Sequence, residues 1–435
     1  LIFSQFALHR HEQCALSSPM QTSLFTQLFV ACVVLTTSLR VWLAVRQIRH
    51  VAANRAQVPA SFAASISLEA HHKAADYTIA RGRLGLLDTA IDTVLLLFFT
   101  LGGGLQWLDS LCRSQISDPL WQGVALVMAL SVLTSIIGLP MSLYRTFVLE
   151  VRFGFNQTTL ATFIGDMLKQ ALLGALLGIP LLWAVLWLMA QMGQNWWMYV
   201  AALWIGFNLL LLAIYPTFIA PLFNTFSPLE ASPTRERIEA LLTRCGFASN
   251  GLFVMDGSKR SSHGNAYFTG FGKSKRIVFF DTLLKQLEPG EIEAVLAHEL
   301  GHFKHKHVLK RIVWTFAAST ALLWLLAQLM LQPWFFQGLG ISQPGTAMAL
   351  LLFMFVLPVF LFPLTPLSSL YSRKHEFEAD AYAASQASAS DLVSALVKLY
   401  RDNASTLTPD PLHSAFYDSH PPAAIRIQHL QGASA

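Results

Sequence analysis

The stretch EAVLAHELGHFKHKHVLKRIVWTFAASTALLWLLAQ, residues 293–328, joins two opposed chemistries. Its first part is polar and titratable, with His298 and His302 set four apart around Glu299 and two further histidines at 305 and 307. From Ile312 to Gln328 there is no charged side chain at all. A helical reading of both parts puts a cluster of ionisable groups at the edge of a rod that suits lipid. Whatever the polar part does, it does beside a membrane.

The rest of the chain supports that reading. Of 435 residues, 54% are hydrophobic and only 13% charged, and mean hydropathy is positive. About 20 apolar residues in helix cross a hydrocarbon layer roughly 30 Å thick, and runs of that kind lie at 24–45, 84–104, 120–143, 171–190, 197–221, 312–331 and 347–366. They predict about seven transmembrane helices. Charge patterning agrees: 27 Lys and Arg fall in 46–83, 144–170, 222–311 and after 366, whereas the loops between carry one, Arg113. A soluble core has no reason to alternate so. The positive-inside tendency then puts 222–311 and the C-terminal tail in the cytoplasm and the N-terminus outside. The net charge of +5 follows from this sorting and does not point to nucleic acid as a partner.

Cys14, Cys32, Cys112 and Cys245 are scattered without a CxxC pair, which excludes a cysteine-rich zinc site and gives no disulfide framework. Residues 1–19 lack a signal-peptide layout; Met20 reads as an alternative start, and the first apolar run as a retained anchor.

Four regions follow. Residues 1–222 form a membrane region with five spans. Residues 223–311 form a cytoplasmic insert of mixed α/β character, with strands expected at GLFVMD, NAYFTGF and RIVFFD and a hairpin turn at Gly272–Lys275. Residues 312–366 form a transmembrane helix hairpin, and 367–435 a polar cytoplasmic tail. The fold class is an all-α multi-pass membrane protein with a small mixed α/β cytoplasmic region.

In the opening stretch, Pro289 suits a first-turn position, and Ile292, Val295, Leu296 and Leu300 give an apolar stripe. His298 and His302 therefore project from one face. Two imidazoles one turn apart can reach a single zinc ion. The glutamate after the first can take a proton from water whose pKa the metal lowers. A catalytic zinc needs a third protein ligand, and the best candidates lie in SRKHEFEADAYA, where Glu376 and Asp380 are four apart. One carboxylate can bind the metal while the other orients a ligand imidazole. Glu378 points elsewhere. His305, His307 and His375 read as solvated or interfacial, because two histidines and a carboxylate already complete a ligand set.

With these segments in place, the chain resembles the integral-membrane CAAX prenyl protease family of zinc metalloendopeptidases, the HExxH type. The resemblance rests on HELGH (298–302) and SRKHEFEAD (372–380). It extends to VRFGFNQTT (151–159) ahead of Asp166, IAPLFNTFSPL (219–229), HGNAYFTGFG (263–272) and SHPPAAIRI (419–427). It implies His298, His302 and Glu376 as ligands of one Zn2+ per chain, Glu299 as general base, and Asp380 as partner of a ligand histidine. It also implies Asn265 on an edge strand that takes an extended peptide by β-addition, His420 at the scissile carbonyl, and Arg426 as a basic position near the substrate. The similar proteins enclose a water-filled chamber, which would hydrate Arg40, Asp88 and Asp92 within the spans.

The expected activity is hydrolysis of peptide bonds at the cytoplasmic membrane face. The expected partners are the lipid bilayer and a peptide or protein substrate, a prenylated C-terminal peptide included; the oligomeric state is left open. Two alternatives compete: a quality-control metalloprotease with the same chemistry, and a transporter or scaffold whose zinc is structural. Arg outnumbers Lys, 19 to 11, which favours a GC-rich bacterial genome and the bacterial inner membrane, where prenylated proteins are not expected. A eukaryotic source would place the chain in the endoplasmic reticulum.

Overall fold

The computed structural model describes residues 19–248, 250–269 and 275–433. Apolar length has become helix throughout. In chain order the membrane region contains α1 (Pro19–Ala53), α2 (Leu68–Phe99), α3 (Gly104–Gln115), α4 (Pro119–Tyr144), α5 (Leu160–Gln191) and α6 (Trp196–Ile214). Six helical stretches of the described chain are long and apolar enough to cross a membrane; α2 and α3, bent by 56° at their junction, make a seventh when counted together. The expectation of about seven spans holds in that sense. The run expected at 84–104 stops at Phe99, where Thr100 leaves helical geometry (φ −91°, ψ −96°); α3 restarts after Gly103, whose left-handed φ of 75° is a conformation that glycine enters without steric cost.

With Leu352 from a later helix, these helices bury Phe29, Phe99, Leu126 and Leu186 in a shared apolar cluster and leave Leu172, Leu176, Val132 and Ile136 exposed. An apolar exterior is what a lipid solvent requires. Arg40, Asp88 and Asp92 avoid that exterior. They line a cavity of about 600 Å³ between α1, α2 and α4, together with Thr36, Thr37 and Arg145. There Arg145 Nη2 donates to Asp88 Oδ2 at 2.7 Å.

The insert begins with β1 (Phe226–Pro228), followed by α7 (Pro233–Arg244), β2 (Leu252–Met255), β3 (Ala266–Thr269), β4 (Arg276–Phe280), α8 (Asp281–Gln286) and α9 (Pro289–Lys304). The three strands expected at GLFVMD, NAYFTGF and RIVFFD are present. The sheet order is β1-β2-β4-β3: β2 and β4 are parallel, and both outer pairs are antiparallel. β3 is thus an edge. Most of the turn expected at Gly272–Lys275 lies outside the described residues, as does Cys14. Arg260 ties the insert to the membrane region: its guanidinium donates to both oxygens of Asp166 on α5, at 2.7 and 3.0 Å, and to the Phe223 carbonyl.

The chain then forms α10 (His307–Leu329), α11 (Pro333–Gln337), α12 (Thr346–Leu361), α13 (Thr365–Gln386), α14 (Ala389–Asp402), α15 (Pro411–Tyr417) and α16 (Ala423–Ala433). A short turn at Phe362–Leu364 separates α12 from α13, so the helix with the two acidic candidates follows directly from a membrane-length rod.

Candidate active site

The start of α9 is built from its own sequence. Glu288 and Glu291 form a reciprocal capping box around Pro289 at the first helical position, which satisfies amide groups that a helix start leaves without partners. Glu291 also accepts from Ser394 Oγ at 2.6 Å and Lys398 Nζ at 2.8 Å on α14. Burial pushes its carboxyl up, but the hydrogen bonds from Lys398, Ser394 and the Glu288 amide outweigh this, and its pKa lies below the usual glutamate value. Ile292, Leu296 and Leu300 pack against Ile238 and Leu241 of α7 and Ile277 of β4. Each such side chain contributes about 1.5–3 kcal/mol when fully buried.

With one face so occupied, the other meets α13. The two helices touch where Gly301 passes Ala379: a Cβ on Gly301 would stand 2.9 Å from the Ala379 Cα. This approach brings three donor groups together. His302 Nε2 lies 3.3 Å from His298 Nε2 and 3.4 Å from Glu376 Oε1, and His298 Nε2 lies 3.5 Å from Glu376 Oε2. Donor atoms about 2.0–2.2 Å from a tetrahedral zinc stand about 3.3–3.6 Å from one another. The match in spacing is close.

The surroundings of the trio test the fit further. Asp380, fully buried, accepts from His298 Nδ1 at 2.8 Å. A carboxylate cannot donate, so the proton sits on Nδ1, and a neutral His298 presents a bare lone pair at Nε2. That lone pair converges with a buried carboxylate oxygen, Glu376 Oε2, which has no hydrogen-bond partner. Two acceptors facing each other in a buried place repel unless a cation lies between them. The donor set suits zinc, and the residues present fit it.

Glu299 is half-buried beside this trio in sequence and, among the described residues, its carboxylate has no hydrogen-bond or ion-pair partner. His420, on the loop ahead of α16, has 60% of its side chain exposed and its Nε2 3.5 Å from Glu376 Oε1. Asn265 is exposed immediately before the edge strand β3. Arg426, expected from the resemblance near the substrate, is buried and engaged elsewhere. Its Nε and Nη2 donate to Asp380 at 2.8 and 2.5 Å, and its Nη1 lies 3.8 Å from Glu376 Oε2.

The largest departure from the sequence reading is His307. It is fully buried rather than solvated, with Nδ1 3.0 Å from His302 Nδ1 and Nε2 2.8 Å from Glu378 Oε2. The cause is local. Lys306 takes a left-handed φ of 57° between α9 and α10 and turns the next residue back beneath His302. His375 is buried as well, stacked on His307 with ring centroids 3.8 Å apart. His305 remains exposed.

Comparison with known proteins follows this geometry along the chain. Residues 47–225 match the family described as CAAX prenyl protease N-terminal, five membrane helices, and residues 228–434 match peptidase family M48. The chain is 34% identical to a CAAX prenyl protease 1 homolog of Oryza sativa subsp. japonica over 404 residues, covering 90% of this chain and 94% of the relative. It is 32% identical to the Homo sapiens CAAX prenyl protease 1 homolog over 458 residues, covering 93% and 95%. The crystal structure of S. mikatae Ste24p matches with a TM-score of 0.86 at 31% identity, over 93% of this chain and 98% of that one.

Proposed function

The chain belongs to the CAAX prenyl protease family within peptidase family M48 and is a multi-pass membrane metalloendopeptidase; from that premise we propose that it cuts peptide bonds with one zinc ion held by His298, His302 and Glu376. The observation that carries this is the convergence of two imidazole nitrogens on a buried carboxylate, one oxygen of which has no hydrogen-bond partner. Bound zinc would supply Lewis acidity, polarising the scissile carbonyl and lowering the pKa of water.

This chain's own residues do the rest. Glu299, with no competing partner, takes the proton from attacking water and returns it to the leaving amine. Asp380 keeps the His298 proton on Nδ1, and Arg426 holds Asp380 in place, a role we assign in preference to substrate contact. His420, exposed near Glu376, donates toward the developing oxyanion. The free edge of β3, with Asn265 at its start, takes the peptide as an added strand, since an extended backbone completes the hydrogen bonds that an edge leaves open.

For the substrate we propose the class after which the relatives are named, C-terminal CAAX peptides bearing a prenyl group. Those relatives are eukaryotic, and their source guides this choice in place of the bacterial one that the arginine excess favoured. The lysine and arginine bias supports a site on the cytoplasmic side. The test is zinc content and cleavage of prenylated and unprenylated peptides by purified wild type and Glu299→Gln. We expect one zinc per chain in both, and about 10²–10⁴-fold slower cleavage in the variant. Cleavage that survives the substitution overturns the assignment of the base.

A further inference from the structure

His298 is held from behind by Asp380, and the structure has a second such arrangement on the other imidazole. We propose that His307 and Glu378 are positioning residues that hold His302 in the tautomer and ring orientation required for binding a metal through Nε2. This inference rests on the metallopeptidase reading above.

The argument follows the protons. The Glu378 carboxylate can only accept, so His307 Nε2, 2.8 Å away, is the donor. A neutral His307 then has a bare Nδ1, and that atom faces His302 Nδ1 at 3.0 Å. His302 must therefore donate from Nδ1, which leaves its lone pair on Nε2, the atom that faces His298 and Glu376. Burial keeps water from competing: His307 has no exposed surface. Its ring is also clamped. His375 stacks on it at 3.8 Å with the planes 9° apart, and His305 lies at 5.5 Å and 16°. A ring so held can serve as a fixed reference for its neighbour.

His307, His375 and Glu378 also have donor atoms within 4.8 Å of one another, which raises the question of a second metal site. The stacking argues against it. In-plane lone pairs of two nearly parallel rings run side by side, so an ion about 2.0–2.1 Å from both nitrogens would lie far out of at least one ring plane. Glu378 lies on the same helix as Glu376 and Asp380, so α13 supplies the metal carboxylate and one support for each imidazole.

The test uses the full-length protein, stripped of metal and titrated with zinc against a chromophoric chelator, with the cobalt(II)-substituted absorption spectrum as a second readout. His307→Phe keeps a stacked ring but removes both nitrogens. His307→Asn restores an acceptor near the Nδ1 position and gives up the stack. Glu378→Gln alters a side chain that is 33% exposed, so the fold is kept even where His307→Phe fails to fold. We expect zinc affinity to fall about 10–100-fold in His307→Phe with a changed cobalt spectrum, partial recovery in His307→Asn, and an intermediate loss in Glu378→Gln. Wild-type affinity and spectrum in Glu378→Gln and in whichever His307 variants fold overturn the proposal. So does His307→Asn binding zinc more weakly than His307→Phe, since packing alone would then be the role. Uptake of a second zinc that His375→Phe abolishes also overturns it, because His307 would be a ligand. If wild type binds zinc and Glu299→Gln is inactive while these variants bind normally, only the relay fails. A wild type that takes up no zinc overturns both readings.

Discussion

Gly301 and Ala379 meet backbone to backbone, with only 2.9 Å between the Ala379 Cα and the point where a Gly301 Cβ would stand. The third position of the HELGH sequence after its first histidine is therefore a packing requirement as well as a spacer. Without that contact α13 could not bring Glu376 within 3.4 Å of His302.

Gly301→Ala tests this directly. Alanine favours helix over glycine by about 1 kcal/mol, but the neighbour here is main chain and cannot rotate aside, and overpacking costs about 1–3 kcal/mol. The variant is expected to lose zinc to a chelator faster than wild type and to melt at a lower temperature. A raised melting temperature with normal zinc retention would show that the helices separate without harm.

Asp380 and Arg426 form a buried pair. Asp380→Ala is expected to cost about 3–5 kcal/mol, since it removes the carboxylate that pairs the buried guanidinium. Replacing both residues with apolar ones of similar volume should recover much of that stability but not the zinc affinity, because His298 still lacks its acceptor. Melting curves and chelator competition on both single variants and the double variant separate the two effects.

The start of α9 carries a pH dependence of known sign. Glu291 has a folded-state pKa below its ordinary value, so its contribution is complete above the unfolded value, about 4.3, and is lost as pH falls through the folded value. Glu291→Ala should therefore be less stable than wild type near neutrality, by about 1–2 kcal/mol for the lost capping and charged hydrogen bonds. The difference should shrink steadily below pH of about 4.3. Paired melts from neutral to acid pH check this, and a difference that stays constant would assign the loss to packing.

Asn265→Ala addresses the edge strand. The side chain is exposed, and among the described residues its Oδ1 accepts only from the next amide, Ala266 N, at 2.8 Å. Zinc content and melting temperature should stay close to wild type while KM for a peptide rises about tenfold, the loss expected for one good hydrogen bond to an extended backbone. Unchanged KM across peptides of different length would remove β3 as the docking edge.

Much of this architecture could be read from residue order alone, for physical reasons that differ by feature. The spans are legible because lipid demands length and apolarity, and the pairs His298–His302 and Glu376–Asp380 because a spacing of four is one helical turn. His307 was not legible. It stands five after His302, across a residue in left-handed backbone, and no helical period joins positions on either side of such a break. Glu378 escaped for a related reason. It does point away from the face that Glu376 and Asp380 share, but His307 at the start of α10 lies on that side. The early stop of α2 depended on the backbone angles at Thr100, ahead of a glycine triplet, which an apolar run does not disclose. Arg426 was legible as important, yet its partner, 46 positions earlier, is a matter of tertiary packing.

The break at Lys306 and the short turn at Phe362–Leu364 place the two halves of the proposed metal site at the ends of different membrane-length rods: the imidazoles lead into α10, and the carboxylate follows α12. A rod that is too long or too short for its bilayer tilts, and tilting α10 and α12 by unequal amounts strains the grip on the ion. Unequal tilt of the two helices is thus expected to alter how firmly zinc is kept, which chelator competition in bilayers of different hydrophobic thickness would read.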